Sequence, residues 1–246
     1  MTAIMVLKNG NILQKRLGYA FKNPQLLEEA MTTPVYAKQH KVESYERLEY
    51  IGDAVVKLVM AQALYDEGIK DQEELTKQRN ILESNKVLAT RAVELGLAEH
   101  VVSLVPIHES DAGILSDVLE ALCGAIYLDM GKDLDIVGRL VIAPILAKKN
   151  AIIDASPDQQ KNQFLEAVQR IFRFTPAIKI DFDESGPGQA KRFKAKNLRV
   201  LHPADGCVVI EFPELATDGT FPSQKEAEKA LMKMAFDEWK KKDFTA

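Results

Sequence analysis

Three acids stand in an apolar segment of the chain, at spacings that could place their carboxylates together. The segment reads ERLEYIGDAVVKLVMAQALYDE, and 13 of the 18 residues from 48 to 65 are apolar. Its charged residues on one side are Glu46, Glu49, Asp53 and Lys57. On a helix they fall within an arc of about 80°. One lysine cannot neutralise three acids, and like charges four residues apart destabilise a helix by about 0.2–0.5 kcal/mol, so a further cation is expected.

A second apolar segment, ILSDVLEALCGAIYLDMG, carries another pair of acids, Asp117 and Glu120. Of the 15 residues from 114 to 128, 11 are apolar. If both segments are helices that face one another, four carboxylates converge, and their burial without compensation is costly. Hard divalent cations with oxygen ligands, Mg²⁺ especially, compensate such a group.

A site whose carboxylates hold two divalent ions can hydrolyse a phosphodiester. One ion activates a water molecule and the other stabilises the leaving oxygen. The alternative is that each acidic stripe is an ordinary solvated helix face. Acids at these spacings are common on helices, and structural networks also collect them. Spacing alone leaves both interpretations open.

The elements that must position these acids are helical. Up to about residue 147, apolar residues recur at spacings of three and four, and no strand alternation is apparent. The pattern covers 24–31, 47–66, 73–95, 114–129 and 134–147. We therefore predict an all-α first domain over residues 1–147.

The pattern changes after KKNAIIDASPD, whose polar residues and Ser-Pro break predict a linker at 148–157. A helix in KNQFLEAVQRIF is followed by period-two alternation in AIKIDFD, RFKAKNLRV and CVVIEF. A last helix is predicted to begin with Ser223 as its cap and Glu226 as the reciprocal partner. The order predicts a small α+β domain, α-β-β-β-α, over 158–246.

The composition predicts a folded, soluble protein. Hydrophobic residues make up 46% of the chain, yet no apolar run approaches the roughly 20 residues of a membrane span. The segment MTAIMVLKNG lacks the features of a secretory signal, so we expect a cytoplasmic protein without a membrane partner. Cys123 and Cys207 show neither metal-ligand spacing nor a disulfide framework, and buried thiols are expected.

The net charge of −4 argues against a general nucleic-acid binder, for which a basic face is typical. The acid excess is local, however. Residues 1–156 hold 17 Lys and Arg against 22 Asp and Glu, whereas residues 157–246 hold 15 against 14. A modest basic surface in the second part can still bind nucleic acid, because affinity depends on the phosphates contacted.

ERLEYIGDAVV closely resembles the signature of the ribonuclease III family, usually of the form ERLEFLGDAVL. SDVLEALCGAIYLDMG resembles that family's second acidic segment, and LTKQRNILESNKVLA resembles the segment between them. The resemblance runs from about Leu17 to Leu146. It implies a Mg²⁺-dependent endoribonuclease, with Mn²⁺ as a substitute, that cuts double-stranded RNA. The products would carry 5′-phosphate and 3′-hydroxyl ends with short 3′ overhangs, and ribosomal precursors are candidate substrates.

The resemblance also assigns roles to the acids. The family's catalytic and metal-binding acids fall on Glu49, Asp53, Asp117 and Glu120. Glu49 and Asp117 would ligate the ion, and Glu120 would ligate it and take part in catalysis. Asp53 would hold the ligands or the attacking water.

Neighbouring positions are assigned less directly. Glu46 matches a further family acid that would support the ligands, or it forms a salt bridge with Lys57. Tyr50 stands where the family has an aromatic residue packed against a partner subunit, which implies a homodimer with two sites in one valley; core packing is the alternative. Gly52 and Gly124 each cost about 1 kcal/mol inside a helix and predict a close helix–helix approach at the acidic site; an ordinary packing role is the alternative.

The chain departs from the family near its N-terminus, where TTPVY, residues 32–36, replaces a Thr-His-x-Ser-Tyr pattern. The His and Ser are missing, so we do not expect this chain to make the substrate or packing contacts that those two residues make in the family. The acids are unaffected.

The C-terminal order resembles a double-stranded RNA-binding domain, which would contact minor grooves with its first helix and first loop, and phosphates with its last helix. The corresponding candidates are Glu166, Gln169, Gly186, Pro187, Arg192, Lys225 and Lys229. Leu165, Gln224 and Glu228 depart from the pattern, and the loop lacks its usual His. We expect weak RNA binding, or alternatively a module used for protein contacts.

Two other functions compete with an endoribonuclease. A relative that has lost the acids and serves only in binding is disfavoured, because all four acids are present. A phosphohydrolase of small substrates is disfavoured by the RNA-binding-like module, which a small substrate does not need.

Overall fold

The fold is described here from a computed structural model, which covers residues 10–241; the side chains at 157, 158 and 189 are not included. The segment MTAIMVLKNG therefore lies outside the described residues except for its last glycine. The chain divides into two compact units after Ile153. Each unit has its own buried apolar core.

The first unit is built from helices joined by short loops. They are α1 (Gly10–Leu17), α2 (Pro24–Ala30), α3 (Pro34–His40), α4 (Glu46–Asp66), α5 (Gln72–Leu82), α6 (Asn85–Glu94), α7 (Ala112–Asp129), α8 (Leu134–Val137), α9 (Ala143–Leu146) and α10 (Lys149–Asp154). A π-helical turn, Gly138–Ile142, connects α8 to α9. An isolated parallel bridge joins Thr32 to Val102.

Helices α4 and α7 form the centre of this unit and pack against each other along their lengths. α7 is apolar on nearly every side, and Leu119, Leu122 and Ile126 are fully buried. α4 buries Met60 and Leu64 in the same core. Both acidic segments are therefore long helices that contribute to this core: α7 is buried on nearly every side, whereas α4 buries one face and exposes the other.

The sequence pattern missed one break between helices in this unit, and it did not predict helices α1 and α3. The stretch 73–95, predicted as one helical region, is interrupted at Glu83 and Ser84, where the Ser84 backbone is extended and its hydroxyl donates to the carbonyl of Ile81. Helix α3 was not predicted, because only Ala37 is buried in it and its apolar periodicity is weak. Pro34 starts α3, and Thr33 Oγ1 donates to the carbonyl of Val102 at 3.1 Å.

The predicted linker at 148–157 is mostly helical, because α10 occupies Lys149–Asp154. The division between the two units falls within this segment, after Ile153. Ile153 is buried in the structure, which explains why this part of the segment is ordered as a helix and is not an extended loop.

The second unit has the predicted order α-β-β-β-α. Its elements are α11 (Pro157–Phe172), β1 (Ala177–Ser185), β2 (Arg192–Leu201), β3 (Val208–Ala216) and α12 (Gln224–Lys241). The strands form one antiparallel sheet in the order β1-β2-β3. Phe164 is fully buried and makes edge contacts with the rings of Phe236 and Trp239, which holds α11 against α12. Ser223 Oγ accepts a hydrogen bond from the Glu226 amide at 3.2 Å, as a helix cap does.

The cysteines differ in their surroundings. Cys123 is fully buried in α7, and burial raises the pKa of its thiol. Cys207 is exposed, so the expectation of a buried thiol is wrong at this position. No described helix has the length and apolar character needed to cross a membrane.

Candidate functional site

The site is created by an unusually close contact between α4 and α7. Gly124 on α7 lies against the backbone of α4, where a Cβ atom would stand 2.2 Å from the carbonyl oxygen of Leu48. Gly52 on α4 makes the reciprocal contact with α7. The predicted close approach of the two glycines is confirmed, and it brings the acids of both helices to one place.

Three of the four assigned acids converge. Glu49, Asp117 and Glu120 each offer a carboxylate oxygen, and these oxygens all lie within 4.8 Å of one another. All three residues are partly buried. We call these three residues the acidic cluster.

Asp53 stands beside the acidic cluster and is engaged by a lysine. Lys57 Nζ donates to Asp53 Oδ2 at 2.7 Å, one helical turn away. Asp53 is near enough to Glu120 for its charge to raise the pKa of that carboxyl. In the structure, one carboxylate oxygen of the fourth acid, Asp53, is therefore engaged in an ion pair with Lys57.

Glu46 lies at the beginning of α4, where Ser44 Oγ donates to its Oε2 at 2.8 Å. The alternative pairing of Glu46 with Lys57 is wrong, because Lys57 pairs with Asp53. The physical reason is axial distance: eleven residues correspond to about 16 Å along a helix, although both side chains share one face.

Burial and mutual repulsion dominate the electrostatics of the acidic cluster. Burial, followed by the charges of Asp53, Asp117 and Glu49, raises the pKa of Glu120 to about 7. Burial also raises the pKa of Glu49, with repulsion from Asp117 as the next cause. A bound divalent cation would relieve this repulsion.

Tyr45 contacts Asp117, and the sequence did not predict this contact. Tyr45 is a buried residue whose hydroxyl lies 3.5 Å from Asp117 Oδ2, the limit of a weak hydrogen bond. Burial raises the pKa of Tyr45 to about 12, and the nearby charge of Asp117 contributes. Burial raises the pKa of Asp117 as well, although hydrogen bonds from Tyr45 and Ser116 oppose the change. Tyr45 therefore remains a neutral donor that can orient the Asp117 carboxylate.

The residues of the acidic cluster fit a hard divalent cation. Their donors are carboxylate oxygens, the ligand type that Mg²⁺ and Mn²⁺ prefer. Mg²⁺ is usually held by one or two carboxylates with several waters, so three convergent carboxylates are sufficient. No cysteine or histidine belongs to the cluster, so its chemistry does not favour zinc.

Tyr50 points away from the core of its own chain. Its exposed fraction is 79%, which excludes packing within the first unit. Leu58 and Tyr65, 52% and 72% exposed, lie on the same face of α4. We call Tyr50, Leu58 and Tyr65 the apolar stripe. Such large exposed apolar groups are typical of a surface that contacts another molecule.

The RNA-contact candidates are distributed over four parts of the second unit. Glu166 and Gln169 are exposed on α11, Gly186 and Pro187 lie in the loop after β1, and Arg192 is exposed at the start of β2. Gly186 has φ of +87°, and a Cβ there would lie 2.6 Å from the Ala190 carbonyl oxygen, so glycine is required by the loop itself. The last two candidates, Lys225 (exposed) and Lys229 (partly buried), lie in the first turns of α12.

Several cations of this unit are paired with acids. Lys196 bonds Asp183 at 2.7 Å, and Arg199 pairs with Asp181, so acids of β1 neutralise two of the basic side chains of β2. Part of the positive charge of β2 is thus locally compensated. At the helices, Lys161 Nζ lies 2.6 Å from Glu228 Oε1.

Comparisons with known proteins agree with this site. A family model described as Ribonuclease-III-like matches residues 23–145, which include the acidic cluster. Ribonuclease 3 of Nitratidesulfovibrio vulgaris is 34% identical over 226 residues, covering 88% of this chain and 83% of that protein. Ribonuclease 3 of Geobacillus thermodenitrificans is 33% identical over 234 residues, covering 92% of this chain and 89% of that protein.

A solved structure is similar to the first unit. The nuclease domain of ribonuclease III from Campylobacter jejuni superposes with a TM-score of 0.51 at 34% identity, covering 58% of this chain and 96% of that one. The matches cover the acidic centre and, for the full-length relatives, most of the chain. The protein therefore belongs to the ribonuclease III family and is an endoribonuclease.

Proposed function

We propose that the chain is a Mg²⁺-dependent endoribonuclease that hydrolyses phosphodiester bonds in double-stranded RNA, with Mn²⁺ as a substitute ion. The products would have 5′-phosphate and 3′-hydroxyl ends with short 3′ overhangs, and ribosomal precursors are candidate substrates. The observation that carries this proposal is the convergence of Glu49, Asp117 and Glu120 within 4.8 Å at the contact of α4 with α7.

Each acid has a distinct part in the proposal. Glu49, Asp117 and Glu120 would hold the ion, and Asp53 would join them or hold the attacking water once it is free of Lys57. Glu46, held by Ser44, would support the site from the start of α4. A bound Mg²⁺ would activate water and stabilise the leaving oxygen of the phosphodiester.

The chain's own groups prepare this chemistry. Tyr45 donates toward Asp117 and would keep that carboxylate turned to the ion. Glu120, with its pKa of about 7, holds a proton part of the time at neutral pH in the absence of an ion. That proton must leave before the Glu120 carboxylate can act as a ligand, so ion binding would release it to water.

We also propose a homodimer. Tyr50 of the apolar stripe lines a surface hollow of about 500 Å³ at the start of α4. The other residues that line it are mostly apolar, with three charged groups among them: Leu26, Leu48, Ile51, Leu128, Glu29, Glu46 and Arg47. An aromatic side chain that protrudes beside an apolar hollow is self-complementary, because two copies related by a two-fold axis can exchange such contacts. Tyr50 would be the anchor of this interface.

The second unit would add RNA affinity. Its α-β-β-β-α order and the exposed side chains of α11 and of the loop after β1 support contacts to successive minor grooves. Lys196, Arg199 and Lys161 are paired with acids, which reduces the phosphate contacts that this unit can make, so its binding would be weak.

The test is cleavage by the purified chain. A perfect RNA duplex and a single strand of equal length are incubated with Mg²⁺ or with EDTA, and the product ends are examined by labelling before and after phosphatase treatment. We expect cleavage only of the duplex, only with Mg²⁺, and label uptake only after phosphatase. Equal cleavage of the single strand, or cleavage in EDTA, would contradict the proposal.

A further inference from the structure

Lys57 is the cation nearest to the fourth acid of the site. Its ammonium group donates to Asp53 Oδ2 at 2.7 Å. It also interacts electrostatically with Glu83 and Glu120, and the hydrogen bond to Asp53 is the main reason that its pKa is raised. In the ion-free chain Lys57 therefore provides positive charge beside the acidic cluster.

The pairing of Lys57 with Asp53 conflicts with ion binding. A divalent cation held by Glu120 and its neighbours would repel the ammonium group, and Asp53 cannot give the same oxygen to both. Lys57 has a flexible four-carbon side chain that is 46% exposed, so it can move without disturbing the core. An acceptor near its present position would favour that movement.

Glu83 is such an acceptor. It follows the last residue of α5, a helix that packs against α4, and its side chain is only 16% exposed. Arg79 Nε lies 3.7 Å from Glu83 Oε2, which is too far for a hydrogen bond. That oxygen is shielded from solvent and accepts no hydrogen bond from the described residues. Glu83 is thus a mostly buried carboxylate whose charge is incompletely compensated.

The local charges are arranged around Lys57. Burial raises the pKa of Glu83, the charges of Arg79 and Lys57 oppose this, and the charge of Asp53 adds to it. Glu83, at the end of α5, and Asp53, on α4, therefore compete for the ammonium group of Lys57. Once a bound ion compensates the negative charge of Asp53, Glu83 would attract the Lys57 ammonium group more strongly than Asp53 does.

We propose that Glu83 accepts the ammonium group of Lys57 when a divalent ion binds to the acidic cluster, so that Asp53 is released to the site. Lys57 and Glu83 are then positioning residues that set ion affinity, and neither touches the substrate. The inference rests on the proposed function, because it assumes that the acidic cluster holds an ion.

The test is a double-mutant cycle on the full chain, with Mn²⁺ affinity as the readout. Free Mn²⁺ is measured by its electron paramagnetic resonance signal without RNA. We expect Lys57→Met to tighten Mn²⁺ binding by about two- to fivefold, the range of an exposed ion pair, because it removes the competitor for Asp53. We expect Glu83→Gln to weaken binding by a similar factor, because Lys57 then stays on Asp53.

The two substitutions should not be additive. In the Lys57→Met background, Glu83→Gln should leave Mn²⁺ affinity nearly unchanged. If Glu83→Gln weakens binding equally in both backgrounds, Glu83 acts on the ion directly and the proposal is wrong. Lys57→Arg should retain the affinity of the natural chain, and an arginine variant that behaves like Lys57→Met would also overturn it.

Control measurements distinguish the role of Glu83 from a general charge effect, from a folding failure and from failure of the proposed function. Glu74→Gln removes the charge of another carboxylate of α5, 3.9 Å from the Lys77 ammonium group, and should not change Mn²⁺ affinity. If Glu83→Gln fails to fold, the Lys57→Met and Lys57→Arg measurements still decide, since no tightening in Lys57→Met contradicts the proposal. A natural chain that binds no Mn²⁺ and cuts no duplex would instead refute the proposed function. Binding and cleavage without coupling would refute only the role of Glu83.

Discussion

Gly52 on α4 and Glu120 on α7 meet backbone to backbone: a Cβ atom at Gly52 would lie 1.7 Å from the carbonyl oxygen of Glu120. Real Cβ atoms essentially never approach within 3.0 Å, and a helix carbonyl cannot turn aside as a flexible side chain can. Gly52 stands between Glu49 and Asp53 in the sequence. The contact therefore determines how far the carboxylates of α4 lie from those of α7.

The first prediction concerns this contact. Gly52→Ala should lower the free energy of unfolding by about 1–3 kcal/mol through overpacking, although alanine favours a helix by about 1 kcal/mol. It should also weaken Mn²⁺ binding, because the helices must separate. Urea unfolding and Mn²⁺ titration measure the two effects. Gly113→Ala is the matched control, since a Cβ there meets nothing within 4 Å. A Gly52→Ala protein with natural stability and ion affinity would contradict this account.

The second prediction tests the acid with the most perturbed pKa in the cluster. Glu120→Gln keeps the shape of the side chain and removes a charged ligand, so cleavage should slow by at least about a hundredfold, or about 2.7 kcal/mol. Duplex affinity measured in EDTA should remain. Excess Mn²⁺ should restore part of the rate if weak ion binding is the main defect. Glu46→Gln should lose far less, and an unchanged Glu120→Gln rate in limiting Mg²⁺ would remove Glu120 from the mechanism.

The sequence predicted the helices of the site well because their signals are local. Dense apolar residues define α4 and α7, and a glycine inside each indicates close packing. Spacing around a helix gives the face that a side chain occupies, which is why Glu49 and Asp53 were placed together. The pairing of Glu46 with Lys57, which the shared face left open, is wrong because Lys57 pairs with Asp53, and the axial rise over eleven residues explains why.

Other features depend on contacts that no local pattern contains. Tyr45 precedes α4 and reaches Asp117, 72 positions away in the sequence. The pairing of Lys196 with Asp183 depends on strand register, which shifts between Lys179 and Asp181. The break at Ser84 was missed because apolar spacing continues across it, although serine is a common first residue before a helix.

The third prediction concerns the apolar stripe. The natural chain should sediment at micromolar concentration with about twice its mass of 27.4 kDa. Tyr50→Ala should shift the equilibrium toward monomer, because Tyr50 is the most exposed large apolar side chain of the stripe. Val35→Ala removes an exposed apolar group on α3 and should leave the mass unchanged. A natural chain that is monomeric and still cuts both strands would refute the shared valley.

The fourth prediction is a pH effect on stability. Asp129 at the end of α7 accepts hydrogen bonds from the Tyr19 hydroxyl and from the amides of Lys22 and Asn23, the amides at 2.8 Å. Burial acts to raise the pKa of Asp129, but these bonds outweigh it and the pKa is lowered. The stabilisation is therefore present above the unfolded value of about 3.9 and is lost as the pH falls through the lower folded value.

Asp129→Asn should consequently destabilise the chain at pH 7 by about 1.5–3 kcal/mol, the range for hydrogen bonds to a charged group. The difference from the natural chain should begin to narrow below about pH 4 and should disappear as the pH falls through the lowered folded pKa, where the Asp129 carboxylate also becomes neutral. Urea unfolding at pH 7 and pH 3 measures this. Asp66→Asn, an exposed acid at the end of α4, should show little difference at either pH. A gap for Asp129→Asn that is independent of pH would contradict the account.

The last prediction concerns the ion pair of Lys161 with Glu228, which joins α11 to α12 in the second unit. Both side chains are 32% exposed, so the Lys161 ammonium group is accessible to a phosphate group. Glu228→Gln should release Lys161 for one further phosphate contact. Duplex affinity in EDTA should rise, and the plot of log affinity against log salt should steepen by about 0.9.

A second substitution identifies the cause. Adding Lys161→Gln to Glu228→Gln should remove the gain and the extra slope, because the released cation is then absent. Glu214→Gln changes the net charge equally on β3 and should affect the slope less, since it frees no paired lysine. If Glu228→Gln and Glu214→Gln raise affinity equally, net charge explains the result and the ion pair does not restrain binding. If affinity is unchanged, the surface around Lys161 does not contact the duplex.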